Sequence, residues 1–514
     1  MSSNFFKGHI PSTFGDMQQL LFLDLSSNYL TGEVPESLAK GYSMEQLRLS
    51  NNRLHGYIFP RFFGASSVKC LSLNGNHFTG NIPVTLPNRQ SLELLDIGNN
   101  NITGALPNWI GDMKSLQVLV LSKNHLIGPI PKSFCRLKSL VVLDLSKNNV
   151  TGHIPSCFSP PSLKYVNLRG NELIGTLDNA AFINSSQLTI LDVGDNHIRS
   201  SIPCWIANHH QELRILVLKG NHFEGHIPIQ LCRLQQLIMI DLSSNNLSGP
   251  IPSCLNNVTG NPSELFNPSI EILTDVVLDS NRKFNIVYRW QHSTEEHVEF
   301  TSKKRVNVYE GKNIRFASGI DLSSNKLSGN IPPEIGNLSL IHTLNLSHNC
   351  LAGSIPETFS RLQSMESLDL SYNHLTGPIP AQLVDLNFLS NFSVAHNDLS
   401  GETPKRIGQF ATFEESSYDD NPLLCGPPLK KNCSATNATP STIASGTDDS
   451  SIDHAAFYAS FAGAFVVGFF GVIVFLFINP YWRKIWFQMV DRSISATEYF
   501  LIDRFYKLKH LVCG

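Results

Sequence analysis

Asparagine recurs along this chain on a nearly constant step. Asn4, Asn28, Asn52, Asn76, Asn100, Asn124 and Asn148 follow one another at a step of 24. Asn171, Asn196, Asn221 and Asn245 come next, at 23, 25, 25 and 24, and after one long gap the series resumes at Asn325, Asn349, Asn373 and Asn397. Fifteen units in register exclude chance. A period of this size specifies a solenoid of stacked coils, and a solenoid displays surface, which points to binding rather than catalysis.

The positions around each asparagine explain the register. Around Asn124 they read Leu116, Leu119, Leu121, Leu126, Gly128, Ile130 and Pro131; around Asn349 they read Ile341, Leu344, Leu346, Leu351, Gly353, Ile355 and Pro356. Leu119 and Leu121 alternate at period 2, so both point inward from one short strand, and strands of successive coils stack into a parallel sheet. The asparagine amide both donates and accepts, so it can satisfy backbone groups buried between coils. The glycine allows a sharp turn, and the proline, with its fixed φ, suits an extended edge. These residues resemble the plant-type leucine-rich repeat. The resemblance implies an α/β repeat solenoid, a right-handed, gently twisted superhelix with a parallel β-sheet on its concave face. Three units depart from the pattern and are expected to be irregular: Leu177-Asp178 replaces Ile-Pro, Ser200 replaces Gly, and Pro60 comes one place late.

Met1 lies shortly before Asn4, inside a repeat, so the expectation is an N-terminally truncated copy of a longer receptor. Near the other end, positions 455–478 carry no charge. A helix of that length reaches roughly 36 Å, enough to cross a hydrocarbon core of about 30 Å. Asp448, Asp449 and Asp453 precede it, while Arg483, Lys484, Arg492, Arg504, Lys507 and Lys509 follow. The positive-inside rule then puts the repeats outside and the C-terminus in the cytosol, a single-pass type I topology at the plasma membrane. Tyr458, Tyr481, Trp482 and Trp486 sit where interfacial rings are expected.

An extracellular solenoid can keep disulfides. The spacing from Cys135 to Cys157 equals that from Cys232 to Cys254, and both pairs have the same offsets from their ladder asparagines. Two disulfides stapling neighbouring coils are expected, with Cys425 and Cys433 as a third pair. Cys70, Cys204 and Cys350 have no evident partner and read as small buried apolar residues. No CxxC spacing suggests zinc, and no cofactor is implied. Ten N-x-[ST] sequons suit the same compartment: Asn101, Asn149, Asn184, Asn246, Asn257, Asn337, Asn345, Asn391, Asn432 and Asn437. A glycan on Asn345 would block the concave face.

The segment from Phe410-Ala411-Thr412-Phe413 through Ser417-Tyr418-Asp419-Asp420-Asn421-Pro422-Leu423-Leu424-Cys425-Gly426 to Cys433 resembles the C-terminal cap of receptor-like proteins, with Asp420 in place of the usual Gly. The domain reading is therefore 1–255 repeats, the first partial; 256–313 an insertion; 314–407 the last four repeats; 408–433 the cap; 434–454 an acidic juxtamembrane spacer; 455–478 the transmembrane helix; and 479–514 a short cytosolic tail. The insertion is located by the one long step, from Asn245 to Asn325. Its stretch from Val298 to Gly311 resembles the island domain of receptor-like proteins, which in that family helps bind ligand or co-receptor. Alternation there suggests short strands, and Lys303, Lys304, Arg305, Lys312 and Arg315 make it basic.

Outward strand positions lie six, four and two places before each ladder asparagine. The fourth is mostly aspartate: Asp24, Asp96, Asp144, Asp192, Asp241, Asp321 and Asp369. Such regularity reads as scaffold. Departures at Arg48, Val120, Asn167 and Val217, with neighbours Tyr165, Arg169, Ile215 and Lys219, are candidate ligand contacts, since apolar and aromatic residues on an exposed sheet can mark a contact patch. Lys303, Lys304 and Tyr309 of the insertion join them.

No phosphate-binding loop, kinase motif or hydrolytic triad is legible, and the tail 480–514 is far too short for a kinase. A net charge of −3 makes no case for nucleic acid. The resemblance implies a cell-surface receptor-like protein that binds an extracellular peptide, protein or glycan. It would signal through a leucine-rich-repeat receptor kinase acting as adaptor and co-receptor, in plant defence. Ala455, Ala459, Gly463, Gly468 and Gly471 are the small residues through which its membrane helix would pack on that partner. The alternatives are a developmental peptide receptor, a membrane-tethered inhibitor of cell-wall-degrading enzymes and a nonfunctional truncated copy.

Overall fold

The computed structural model describes residues 1–39, 44–58, 68–82, 91–177, 181–257, 271–277, 287–293, 297–303, 305–310, 313–314 and 318–433. Each coil after the first, partial one contributes a three-residue strand just before its asparagine, and these strands build one 14-stranded parallel sheet from Phe22–Asp24 to Asn391–Ser393. The register is constant: Val118, Leu119 and Val120 pair with Val142, Leu143 and Asp144. Inward leucines such as Leu119, Leu143 and Leu168 are buried and form one continuous core along the solenoid. A core of this kind has no centre, because each coil covers only its neighbours.

The ladder asparagines do what an amide wedged between coils can do. Asn124 Nδ2 donates to the Leu121 and Ser122 carbonyls of its own coil and to Ile97 O of the coil before, at 3.1, 3.2 and 3.0 Å, while its Oδ1 accepts the Ile102 N–H at 2.9 Å. The same four bonds recur at Asn221 and Asn373. Asn421, one step after Asn397 and inside the cap, makes them too. The cap therefore ends the solenoid by continuing its polar ladder for one more rung.

A second strand follows each asparagine, as in His125–Pro129, where Gly128 takes φ +78°. These strands form a nine-stranded and a seven-stranded parallel sheet. The break falls between His197–Ile198 and Glu224–Gly225, in the coil where Ser200 stands in place of glycine. The proline after the turn is the residue that precedes a 3-10 helix: Pro131, at φ −65° and ψ 141°, introduces Lys132–Arg136. Most connections are such 3-10 turns, and among the described residues only Glu36–Ala39 and Trp205–His209 are α-helical. The helical share expected of an α/β solenoid is thus mainly 3-10, because a coil this short leaves little more than one turn's length between its strands. The Cys135–Cys157, Cys232–Cys254 and Cys425–Cys433 disulfides are formed, with Cα–Cα distances of 5.4, 5.6 and 5.0 Å. Of Cys70, Cys204 and Cys350, all expected to be buried, only Cys70 is; Cys204 and Cys350 are exposed. Cys204 stands just before the helix Trp205–His209, and Cys350 opens the strand Cys350–Gly353.

The insertion leaves the ladder uninterrupted. Met239–Asp241 pairs directly with Gly319–Asp321, and Leu247 N–H reaches Asn325 Oδ1 at 2.9 Å across 78 residues of sequence. Within it, Glu271–Val277 pairs antiparallel with Val287–Ser293, and His297–Ser302 pairs antiparallel with Arg305–Glu310. Among the described residues no helix is long and apolar enough to cross a membrane. The expected membrane helix 455–478 with Ala455, Ala459, Gly463, Gly468 and Gly471, the spacer, the tail, Lys304, Lys312, Arg315, Asp178, Pro60 and Asn437 lie outside the described residues.

Candidate functional site: the long sheet and its hairpin

The aspartate four before each ladder asparagine is a turn-former. Asp144 Oδ1 accepts the Ser146 N–H at 2.9 Å and the Ser146 hydroxyl at 2.6 Å, and Asp241, Asp321 and Asp369 repeat the arrangement. Asn345 repeats it with an amide oxygen, and Asn167 keeps the half that accepts the N–H two residues on. These side chains hold the chain where it leaves the sheet, a local competition between side chain and ladder that Asp and Asn are suited to.

The departures from that scaffold converge on the hairpin. Its inner strand, His297–Ser302, crosses the long sheet from the coil of Asn148 to that of Asn349. Tyr165 Oη donates to His297 O at 3.1 Å, and Asn167 Nδ2 donates to Tyr165 Oη at 3.0 Å. The Glu299 carboxylate is paired with Lys147 Nζ and with Arg169 Nε, the latter at 3.4 Å. Lys219 Nζ donates to Thr301 Oγ1 at 2.9 Å, and Ser302 Oγ lies 2.7 Å from Thr343 Oγ1. At the hairpin tip, Lys303 N–H donates to Ser367 Oγ at 3.4 Å, and Lys303 Nζ meets Glu366 at 2.7 Å.

Between these polar contacts lies a second apolar cluster, separate from the solenoid core. It joins Val298 and Phe300 of the insertion, and Ile314 just after it, to Val142, Tyr165, Ile190, Ile215, Val217 and Met239 of the sheet, with Val120 and Tyr309 packed at its margin. Gly319 belongs to the fit: a Cβ there would come 2.9 Å from the Phe300 ring and 2.8 Å from Thr343 O, too close for any side chain. Tyr165, Ile215 and Val217 are at most 2% exposed. The residues singled out from sequence as an open patch are covered by the chain's own hairpin. Arg48, on a strand well before it, and Val120 are half-buried.

Covering the sheet also buries charge. Arg169 is 6% exposed, with Nη2 2.6 Å from Asp195 Oδ2 and Nη1 3.9 Å from Asp192 Oδ2. Burial pushes the Asp192 carboxyl up to about 7 in spite of Arg169 and the Gly194 N–H. Asp321 is raised to about 7 by burial and by neighbouring Asp241, itself raised by burial. Burial would raise Glu299 as well, but its bond to Lys147 and the charge of Arg169 hold it below the ordinary range.

From the row six before each asparagine, sequence reasoning takes only Tyr165 and Ile215. Cys70, Leu94, Val118, Val142, Tyr165, Ile190, Ile215 and Met239 are apolar in succession, then Gly319, Thr343, Ser367 and Asn391 break the run. Reading that row down the coils shows a stripe needing cover. Among the sequons, Asn101, Asn149, Asn184, Asn246, Asn337 and Asn432 are exposed, whereas Asn345 and Asn391 are half-buried on the long sheet. The Asn345 amide donates to Asp321 Oδ2 at 3.3 Å and that of Asn391 to Ser367 Oγ at 3.1 Å. Asn257 closes a 3-10 turn, Ser253–Asn257.

The Leucine rich repeat profiles match residues 66–126 and 90–150, and residues 19–40, 187–209, 236–258, 318–338, 341–362 and 364–386. The chain is 40% identical over 296 residues to Receptor-like protein 13 of Arabidopsis thaliana, a match covering 55% of this chain and 27% of that protein. It is 45% identical over 305 residues to Receptor-like protein 56 of the same plant (56% and 32%) and 57% identical over 212 residues to Cuscuta receptor 1 of Solanum lycopersicum (41% and 19%). The chain thus spans less than a third of the length of these curated relatives. Among solved structures it is similar to the plant peptide hormone receptor RGFR1 in complex with RGF2, at TM-score 0.58 and 26% identity, covering 82% of this chain and 66% of that one. It is also similar to the Arabidopsis receptor kinase HAESA in complex with the peptide hormone IDA and the co-receptor SERK1, at TM-score 0.56 and 25% identity over 85% of this chain and 74% of that one. The repeats, the solenoid they build and the named relatives together identify this chain as a leucine-rich-repeat protein related to the plant receptor-like proteins.

Proposed function

We propose that this chain is part of a plasma-membrane receptor that binds an extracellular peptide through its long sheet and hairpin. It signals in plant defence through a leucine-rich-repeat receptor kinase, which serves as adaptor and co-receptor. The observation that carries the reading is the relationship to receptor-like proteins across repeats that end just before the uncharged run 455–478, with basic residues beyond it. The two similar structures, a peptide hormone receptor with its ligand and a receptor kinase with peptide and co-receptor, support a peptide ligand and a kinase partner. A single-pass type I orientation follows from the charge asymmetry around positions 455–478, and glycans on the exposed sequons fit it.

The test is affinity purification of the tagged full chain from plant membranes. A receptor kinase should copurify, and Gly463→Leu with Gly468→Leu should reduce its yield if the helix is the contact. Recovery in the aqueous fraction with no kinase would overturn the reading. Copurification with a secreted wall-degrading enzyme alone would favour the inhibitor alternative. Induction by a pathogen elicitor, as opposed to growth stage, separates defence from development.

A further inference from the structure

The inner hairpin strand meets the long sheet as a separate extended peptide would. It lies across successive coils, uses none of the ladder's periodic bonds, and is held by side chains of the sheet. Its positions alternate in function. Val298 and Phe300 enter the apolar cluster, and Glu299 between them is clamped by Lys147 and Arg169. The cradle is built in detail: Arg169 is more than nine-tenths buried, and Gly319 leaves room for one aromatic ring.

We propose that the strand His297–Ser302 is a resident occupant of a peptide site, and that the same site, once the hairpin lifts, takes an extended peptide presenting a carboxylate between two apolar side chains. This rests on the receptor reading above for its biological sense, though not for its chemistry. Charge complementarity selects the ligand. A cation facing Lys147 and Arg169 would be repelled, and a small residue in place of Phe300 would leave the space over Gly319 empty. The hairpin thereby sets a threshold: a ligand must outcompete a tethered strand whose effective concentration is high, so the apparent affinity falls by the fraction of molecules with the hairpin lifted.

The experiment compares the full chain in detergent with its Glu299→Lys variant. The probe is a labelled peptide of sequence HVEFTS, and the control is HVKFTS. Hydrogen exchange of the amides in Arg305–Glu310 reports whether the hairpin has lifted, and exchange in the strands of the long sheet reports that the solenoid is intact. The expected result is faster hairpin exchange in the variant, probe binding at least roughly tenfold tighter than to the unsubstituted chain, and no comparable gain for HVKFTS. Unchanged hairpin protection in the variant overturns the clamp. A lifted hairpin with no gain in probe binding, or with equal gains for both peptides, overturns the site. Because no kinase takes part in the measurement, failure of the receptor reading would leave these outcomes unaltered.

Discussion

The asparagine ladder and the hairpin seat both bury polar groups against the coils, and they do so by opposite means. Each rung of the ladder satisfies groups of its own coil and of the coil before, so every rung needs the same residue. At the hairpin seat each coil presents a different residue, since the partner is an aperiodic strand: Tyr165, Arg169, Lys219 and Thr343 each meet a different hairpin residue. In a repeat protein, then, constant positions report contacts between coils, and positions that vary along the chain report contact with something else. Here that something is the chain itself.

The largest expected effect falls on the ladder. Asn221→Ala would leave Ile198 N–H and the Val193, Leu218 and Lys219 carbonyls without the amide they share. Ile198 N–H would be left unsatisfied, at about 1–3 kcal/mol, and the three carbonyls, which keep bonds from Asn196, Asn245 and the Asp195 N–H, would each lose one bond worth about 1 kcal/mol, so the loss should reach about 4 kcal/mol and split the unfolding transition at that coil. Chemical denaturation followed by circular dichroism checks this; a loss below about 1 kcal/mol would mean that water takes over the amide's role. Phe300→Ala should cost about 3 kcal/mol, but only locally. Hairpin amides should exchange faster while the first transition of the solenoid stays in place, and an equal shift in both would erase the distinction between the two regions.

Acidity supplies a smaller effect with a definite sign. Asp192 and Asp321 ordinarily titrate near 3.8 and are raised to about 7 when folded, so the folded chain binds more protons between those values. Their contribution is greatest below the ordinary value and is lost as pH rises through about 7. The midpoint temperature should therefore drop between about pH 5 and about pH 8, and Asp192→Asn, which can still accept the Gly194 N–H, should flatten the drop. Glu299 titrates below that window, where its lowered pKa acts in the opposite sense. The smallest effect concerns glycans. Peptide mapping of the chain purified from plant membranes should find Asn101 and Asn149 occupied and Asn345 bare, since the Asn345 amide is already bonded to Asp321.

Much of this was legible in the residues. The ladder gave the coil count, the sheet register and the cysteine pairs, because coil-to-coil contacts are periodic and leave a periodic trace. The missed beat after Asn245 located the insertion. The destination of the insertion was not legible, since Glu299 and Thr301 meet Arg169 and Lys219, far back along the chain, with no repeat to align them. Tyr165, Asn167, Arg169, Ile215 and Val217 stood out as exceptions to the scaffold, yet exposure could not be read from them, because the element that covers them is outside the repeat. Asn421 was hidden for a different reason: the leucines that precede the other rungs are missing, with Tyr418 three places and Ser416 five places before it.

The central claim is that the exceptional residues of the long sheet and the hairpin are energetically one unit. A double-mutant cycle on Arg169→Ala and Glu299→Ala, read from exchange of the hairpin amides, measures it directly. The account predicts a coupling of about 1 kcal/mol or more, whereas additivity within about 0.3 kcal/mol would contradict it.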